Sequence, residues 1–154
     1  MRGDPTVIEI LNEALTAELT AVNQYFIASR MAQDWGYAAL GKDWYDESIG
    51  EMKHADTLIQ RILFLEGVPN MQRLDPVGVG ESAIEQYRLN LAMERKAVER
   101  YQRAVAICAE AGDPGTRTLM EDILRQEEHH VDEGETEMVN LQQLGEQLWL
   151  AKWV

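Results

Sequence analysis

The 154-residue chain carries 27 acidic against 14 basic residues, a net charge of −13, with 45% hydrophobic and 27% charged residues. That balance suits one globular domain, disfavours nucleic acid and anionic membrane as partners, and favours a surface or cavity that attracts cations. No apolar run approaches a membrane span, and the opening Met1-Arg2-Gly3-Asp4-Pro5 lacks the apolar core of a signal peptide, so a cytoplasmic location is expected. The lone cysteine, Cys108, excludes an internal disulfide and a thiolate metal site within one chain, and reads as a small buried apolar residue.

Asp4 before Pro5 is a helix start, and apolar residues then recur at Val7, Ile8, Leu11, Leu15, Leu19 and Val22, predicting a first helix over about 5–35 that Gly36 stops. A second periodic segment, about 37–66, carries Ile49, Leu58, Ile62 and Leu65 and closes at Gly67 and Pro69; the short connection makes the two antiparallel. Residues 67–81, interrupted by Pro69, Pro76, Gly78 and Gly80, have no sustained period and are long for a loop. Such a segment, extended, spans about 55 Å, enough to travel back along a helix of about 40 Å, so the third helix is expected to run parallel to the second. Ser82-Ala83-Ile84-Glu85 reads as a capping box opening that third helix, about 83–111. After the Gly112-Asp113-Pro114-Gly115 turn, a fourth runs over about 115–144 despite Gly134, and a short terminal helix over about 146–153 carries Trp149 and Trp153. Hairpin, crossover, hairpin describes an all-α four-helix bundle in a single domain spanning 1–154.

Two stretches carry the chemistry. Glu51-Met52-Lys53-His54 and Glu127-Glu128-His129-His130 each place a glutamate three residues before a histidine, on one helix face. Each has a lone glutamate on the preceding helix, Glu18 for the first and Glu94 for the second. All three positions recur at an offset of 76 residues (18 to 94, 51 to 127, 54 to 130), as do Ile8/Ile84, Leu15/Leu91, Tyr25/Tyr101, Gly36/Gly112 and Asp56/Asp132. The chain therefore reads as a doubled helical hairpin whose six candidate ligands, Glu18, Glu51, His54, Glu94, Glu127 and His130, meet at a pseudo-twofold axis. Four carboxylates and two imidazoles suit two hard or borderline cations such as iron or manganese, and bundles with this Glu and Glu-x-x-His pattern hold di-iron centres. The symmetry predicts Glu51 and Glu127 as bridges, Glu18 and His54 completing one metal site, Glu94 and His130 the other. Iron so held can give one electron per ion to peroxide or dioxygen, so ferrous oxidation is the expected reaction. Tyr25 and Tyr101, seven residues after Glu18 and Glu94, face the same way and are candidates to hydrogen-bond the ligands; His129 faces elsewhere.

Met1-Arg2-Gly3-Asp4, Ala21-Val22-Asn23-Gln24-Tyr25-Phe26, Asp34-Trp35-Gly36, Glu51-Met52-Lys53-His54-Ala55-Asp56 and Arg61-Ile62-Leu63-Phe64-Leu65-Glu66-Gly67 resemble bacterioferritin motifs, and the likeness covers nearly the whole chain. The resemblance implies a ferritin-like fold, a ferroxidase centre at the same six residues, and ferric mineral stored inside a 24-subunit shell. It also implies haem b at each twofold interface, ligated by Met52 of both chains, with Val22, Asn23, Phe26 and Tyr45 near the pocket. The partners the resemblance implies are a second bacterioferritin subunit and a bacterioferritin-associated ferredoxin. Departures are Asp46 and Gly50, where some members use a His and an Asp for an extra iron site on the inner surface, the unusual Glu133-Gly134-Glu135, and the tail from Trp149 to Val154, where altered shell contacts are expected. Asp34, Glu66 and Asp132 are candidates to line a cation entrance between subunits. The competing readings are a non-storing di-iron or di-manganese redox enzyme on the same bundle, and a DNA-protecting mini-shell, which the net charge disfavours.

Overall fold

In the computed structural model, which describes residues 1–154, the chain forms α1 (Pro5–Asp34), α2 (Ala38–Phe64), α3 (Ala83–Glu110), α4 (Pro114–Leu144) and a short α5 (Glu146–Ala151). Four long helices with one long crossover and a short terminal helix make the all-α bundle that the periodicity predicts. The helix starts follow local chemistry. The Asp4 carboxylate accepts the Thr6 N–H at 2.7 Å with Pro5 in the first turn of α1, and Asp113 accepts the Thr116 N–H at 2.9 Å ahead of Pro114 in α4. Ser82 accepts the Glu85 N–H at the start of α3. The Glu85 carboxylate, however, takes the N–H of Glu81 rather than that of Ser82, so the reciprocal arm of the expected capping box closes one residue earlier.

The end of α2 also differs in detail from the expectation. The left-handed residue is Glu66, with φ of 63°, and not Gly67. Gly67 serves packing instead: a Cβ there would lie 2.7 Å from Ile8 Cγ2. The Gly67 N–H returns to the Ile62 carbonyl and the Glu66 N–H to that of Leu63, which satisfies the last carbonyls of the helix.

α1 packs against α2 and α3, α3 against α4, and α5 against α4. Two apolar layers cap a polar middle. At one end Val7, Leu11, Leu15, Leu58, Ile62, Tyr101, Cys108 and Met120 are buried together. At the other, Tyr25, Ala28, Leu40 and Trp44 form one cluster, and Ile84, Leu141 and Trp149 another beside it. The terminal segment is part of this second layer. Trp149 is fully buried, its indole N–H donates to Glu137 at 2.8 Å, and the Ala39 N–H donates to the Trp153 carbonyl.

The crossover is held along α1 by polar side chains one helical turn apart. Asn12 receives the Asn70 N–H and donates to the Val68 carbonyl; Thr16 accepts from Arg73; Thr20 accepts the Asp75 N–H. Gln24, buried, accepts the Gly78 N–H at 2.8 Å and donates to Asn90 of α3. Residues at i, i+4, i+8 and i+12 share a helix face, so one stripe of α1 supplies partners for a backbone that makes no secondary structure of its own.

Candidate metal centre

All six sequence-predicted side chains converge between the two apolar layers. Glu18, Glu51, Glu94 and Glu127 are each no more than 3% exposed, and His54 is 8% exposed. One helix supplies Glu18, the next Glu51 and His54, the third Glu94, and the fourth Glu127 and His130. His54 Nδ1 lies 3.5 Å from Glu18, 3.8 Å from Glu51 and 3.3 Å from Glu127. His130 Nδ1 lies 3.6 Å from Glu51, 3.6 Å from Glu94 and 3.8 Å from Glu127. Glu51 turns Oε2 toward His54 and Oε1 toward His130, while Glu127 turns Oε1 toward His54 and Oε2 toward His130. Each of these two carboxylates therefore faces both imidazoles.

Glu18 Oε2, Glu51 Oε1, both oxygens of Glu127, and Nδ1 of both histidines are buried without a hydrogen-bond partner. Folded proteins rarely leave such atoms unpaired, and so many aimed at one space form a donor set that could hold cations. Two four-residue groups have ligand atoms close enough to share an ion: Glu18, Glu51, His54 and Glu127, and Glu47, Glu51, Glu94 and His130.

Electrostatics agree with that reading. Burial, reinforced by neighbouring carboxylates, pushes Glu51 and Glu94 well above the usual carboxylate range. Burial also acts to raise Glu127, but the close approach of Glu94, His130 and His54 outweighs it and holds that carboxyl well below its usual range. Burial alone would lower the two histidines; the facing carboxylates of Glu127 and Glu18 for His54, and of Glu127 and Glu94 for His130, instead push both up to about 11.

The tyrosines pair across the pseudo-twofold. Tyr25 of α1 donates to Glu94 of α3 at 2.6 Å, and Tyr101 of α3 donates to Glu18 of α1 at 2.5 Å. Each thus holds the glutamate of the other hairpin rather than that of its own helix. Burial pushes both phenols well above their ordinary range, so they stay protonated donors. His129 is exposed beside Glu133, apart from the centre.

Two residues escaped the sequence reading. His130 Nε2 lies 3.2 Å from Glu47, and His54 Nε2 lies 2.8 Å from Gln126 Oε1. Glu47 is one turn before Glu51 on the same face, a spacing that could have drawn attention to it. Gln126 directly precedes a ligand position and carried no such signal.

Two cavities reach the centre. One, of about 470 Å³, lies beneath the crossover between Asp75, Pro76 and Gly78 and the carboxylates. The other, of about 360 Å³, runs past Asp43, Glu47 and Glu133 to Glu94 and His130. Gly134 helps to line it, and the close approach of Leu91 leaves no room for a Cβ there without movement.

On the outside of α2, Met52 is 52% exposed. Tyr45 is seven residues earlier on the same face, and Arg30 covers the rings of both Tyr45 and Phe26. No helix is long and apolar enough to cross a membrane.

Residues 8–144 match the family model described as a ferritin-like domain. The chain is 43% identical to the bacterioferritin of Mycolicibacterium paratuberculosis over its full length and 97% of that protein. It is 47% identical to that of Rhodobacter capsulatus, covering 96% of this chain and 91% of the relative. With the bacterioferritin of Streptomyces coelicolor it shares 44% identity over 98% of this chain and 90% of the relative.

Proposed function

The chain belongs to the bacterioferritin family, within the ferritin-like domain, and from that membership we propose that it is a ferroxidase that takes up ferrous iron and oxidises it at Glu18, Glu51, His54, Glu94, Glu127 and His130. Iron storage is its function. The observation that carries the ferroxidase reading is the set of buried, unpaired oxygens and imidazole nitrogens from all four long helices, converging on one space. Glu18 and His54 would hold one Fe(II), Glu94 and His130 the other, and Glu51 and Glu127 would bridge them, because each bridging carboxylate faces both histidines.

Ferrous iron is the substrate. Two Fe(II) give one electron each to hydrogen peroxide, which takes up two protons and leaves as two waters; dioxygen is the alternative oxidant. The four carboxylate charges balance two divalent ions, and the protons displaced from the imidazoles and from Glu51 and Glu94 leave as the ions arrive. Tyr25 and Tyr101 hold the terminal carboxylates in place from opposite hairpins. The acidic walls of the smaller cavity favour cations on their way to His130.

The product is stored as ferric mineral inside a 24-subunit shell. Met52, Phe26 and Tyr45 fit haem b: the exposed Met52 thioether and its copy in a twofold-related chain would hold the haem iron, and the exposed Phe26 and Tyr45 rings would offer apolar cover. Bound there, the haem would supply a one-electron redox group. The likeness to bacterioferritins along the whole chain favours storage over the non-storing redox enzyme.

Aerobic loading of the purified protein with ferrous salt, following ferric absorbance and iron retained per particle, tests the centre. Glu94→Ala and His130→Ala are each expected to bring initial oxidation down to that of iron in buffer. Wild-type rates in both variants would remove the proposed centre.

A further inference from the structure

The duplication that doubles the ligands does not double what stands behind them. The position 76 residues after Glu47 is Ile123, and the one 76 residues before Gln126 is Gly50. His130, on α4, is backed from α2 by a carboxylate, with Nε2 3.2 Å from Glu47 Oε2. His54, on α2, is backed from α4 by an amide, with Nε2 2.8 Å from Gln126 Oε1. The Gln126 amide N–H donates to the Asp122 carbonyl at 3.4 Å, which turns its oxygen toward the ring. Both imidazoles thus donate Nε2–H outward and present Nδ1 to the interior, where both Nδ1 atoms are unpartnered.

From this contrast we propose that Glu47 and Gln126 are positioning residues that make the two metal sites unequal, the Glu94–His130 site taking a divalent ion before the Glu18–His54 site. The inference rests on the metal-centre reading above. Both partners fix the tautomer and the ring plane, but only Glu47 adds a negative charge. A carboxylate accepting the outer N–H draws the proton toward itself and leaves more electron density on Nδ1, so the ring becomes a stronger donor. An amide carbonyl orients the ring without that gain. Removing such a partner typically weakens metal affinity by about 10–100-fold, which sets the size of the gap.

Zinc, which is redox-silent, reads this out without any turnover. Metal-free assembled protein would be titrated with Zn(II) by calorimetry, and crystals carrying one Zn(II) per chain would be measured at the zinc edge to give the occupancy of each position. The expected result is two binding steps about 10–100-fold apart, with the first ion at Nδ1 of His130. Glu47→Gln is expected to bring the steps together and even out the occupancies. Gln126→Glu should tighten the second step about tenfold and leave the first alone, which a merely structural role for Gln126 would not do. Circular dichroism and particle size serve as folding controls; were Glu47→Gln to fail to assemble, the wild-type occupancies and Gln126→Glu would still decide. Equal occupancy in the wild type, an ion between Nε2 and Glu47, or an unchanged gap in both variants would overturn the proposal. Absence of zinc from the six-residue centre altogether would instead overturn the metal-centre reading itself.

Discussion

Because His54 and His130 keep their protons up to about 11 in the absence of metal, metal-free stability has a definite pH dependence. Above about pH 6.5 the unfolded chain loses histidine protons that the folded centre retains. The folded state then binds more protons, and stability falls as pH rises, by about 1.4 kcal/mol per pH unit for each such proton. Glu51 and Glu94, also raised, act with the same sign from the ordinary carboxylate range upward. Glu127, lowered, contributes stability that is lost only as pH falls below about 4.5. Chelated protein should therefore melt at a lower temperature at pH 9 than at pH 6.5, whereas zinc-loaded protein, having released those protons, should widen its lead as pH rises. A second expectation concerns Tyr101. Tyr101→Phe leaves a buried Glu18 oxygen without its donor and should cost about 1.5–3 kcal/mol in chemical denaturation of the metal-free protein. The convergence of the six residues was legible in the sequence because a Glu-x-x-His pair is a local pattern that recurs at the 76-residue offset. Glu47 and Gln126 were less so, since each acts on a histidine of another helix. Likewise, seven-residue spacing put each tyrosine on the correct face but gave no sign that its hydroxyl reaches across to the other hairpin.

Helix limits and their order follow from apolar period, capping residues and glycine stops, which are local in sequence. What fastens the crossover is not local: Asn12, Thr16, Thr20 and Gln24 look like ordinary polar substitutions in an amphipathic helix until the strap lies over them. Gln24 links both sides, so Gln24→Leu should cost about 1–3 kcal/mol and speed amide exchange at Gly78 in particular. At the end of α2, Glu66 holds a left-handed backbone that costs a non-glycine residue roughly 1 kcal/mol. Glu66→Gly removes that strain at the expense of a more flexible unfolded chain, and a gain in unfolding free energy of no more than about 1 kcal/mol is expected in chemical denaturation. The tail was the least legible element. Its period is too short to show which surface the tryptophans seek, yet the structure docks them on their own bundle through Tyr87, Ile84 and Leu141.

For the whole particle, light scattering should report several hundred kilodaltons against 17.5 kDa per chain. Met52→Leu should abolish the haem absorption of reconstituted protein while sparing ferrous oxidation, because Met52 points away from the six-residue centre. An unchanged haem spectrum would sink that assignment. The crossed tyrosines make each half of the bundle depend on the other. A single hairpin bearing one glutamate, one Glu-x-x-His and one phenol cannot satisfy its own glutamate, since the hydroxyl that does so arrives from the other half. Two identical hairpins, back to back, would satisfy each other. A chain severed within the crossover should therefore yield halves that depend on each other, with circular dichroism and thermal melting reporting a cooperative helical fold only once the two are mixed.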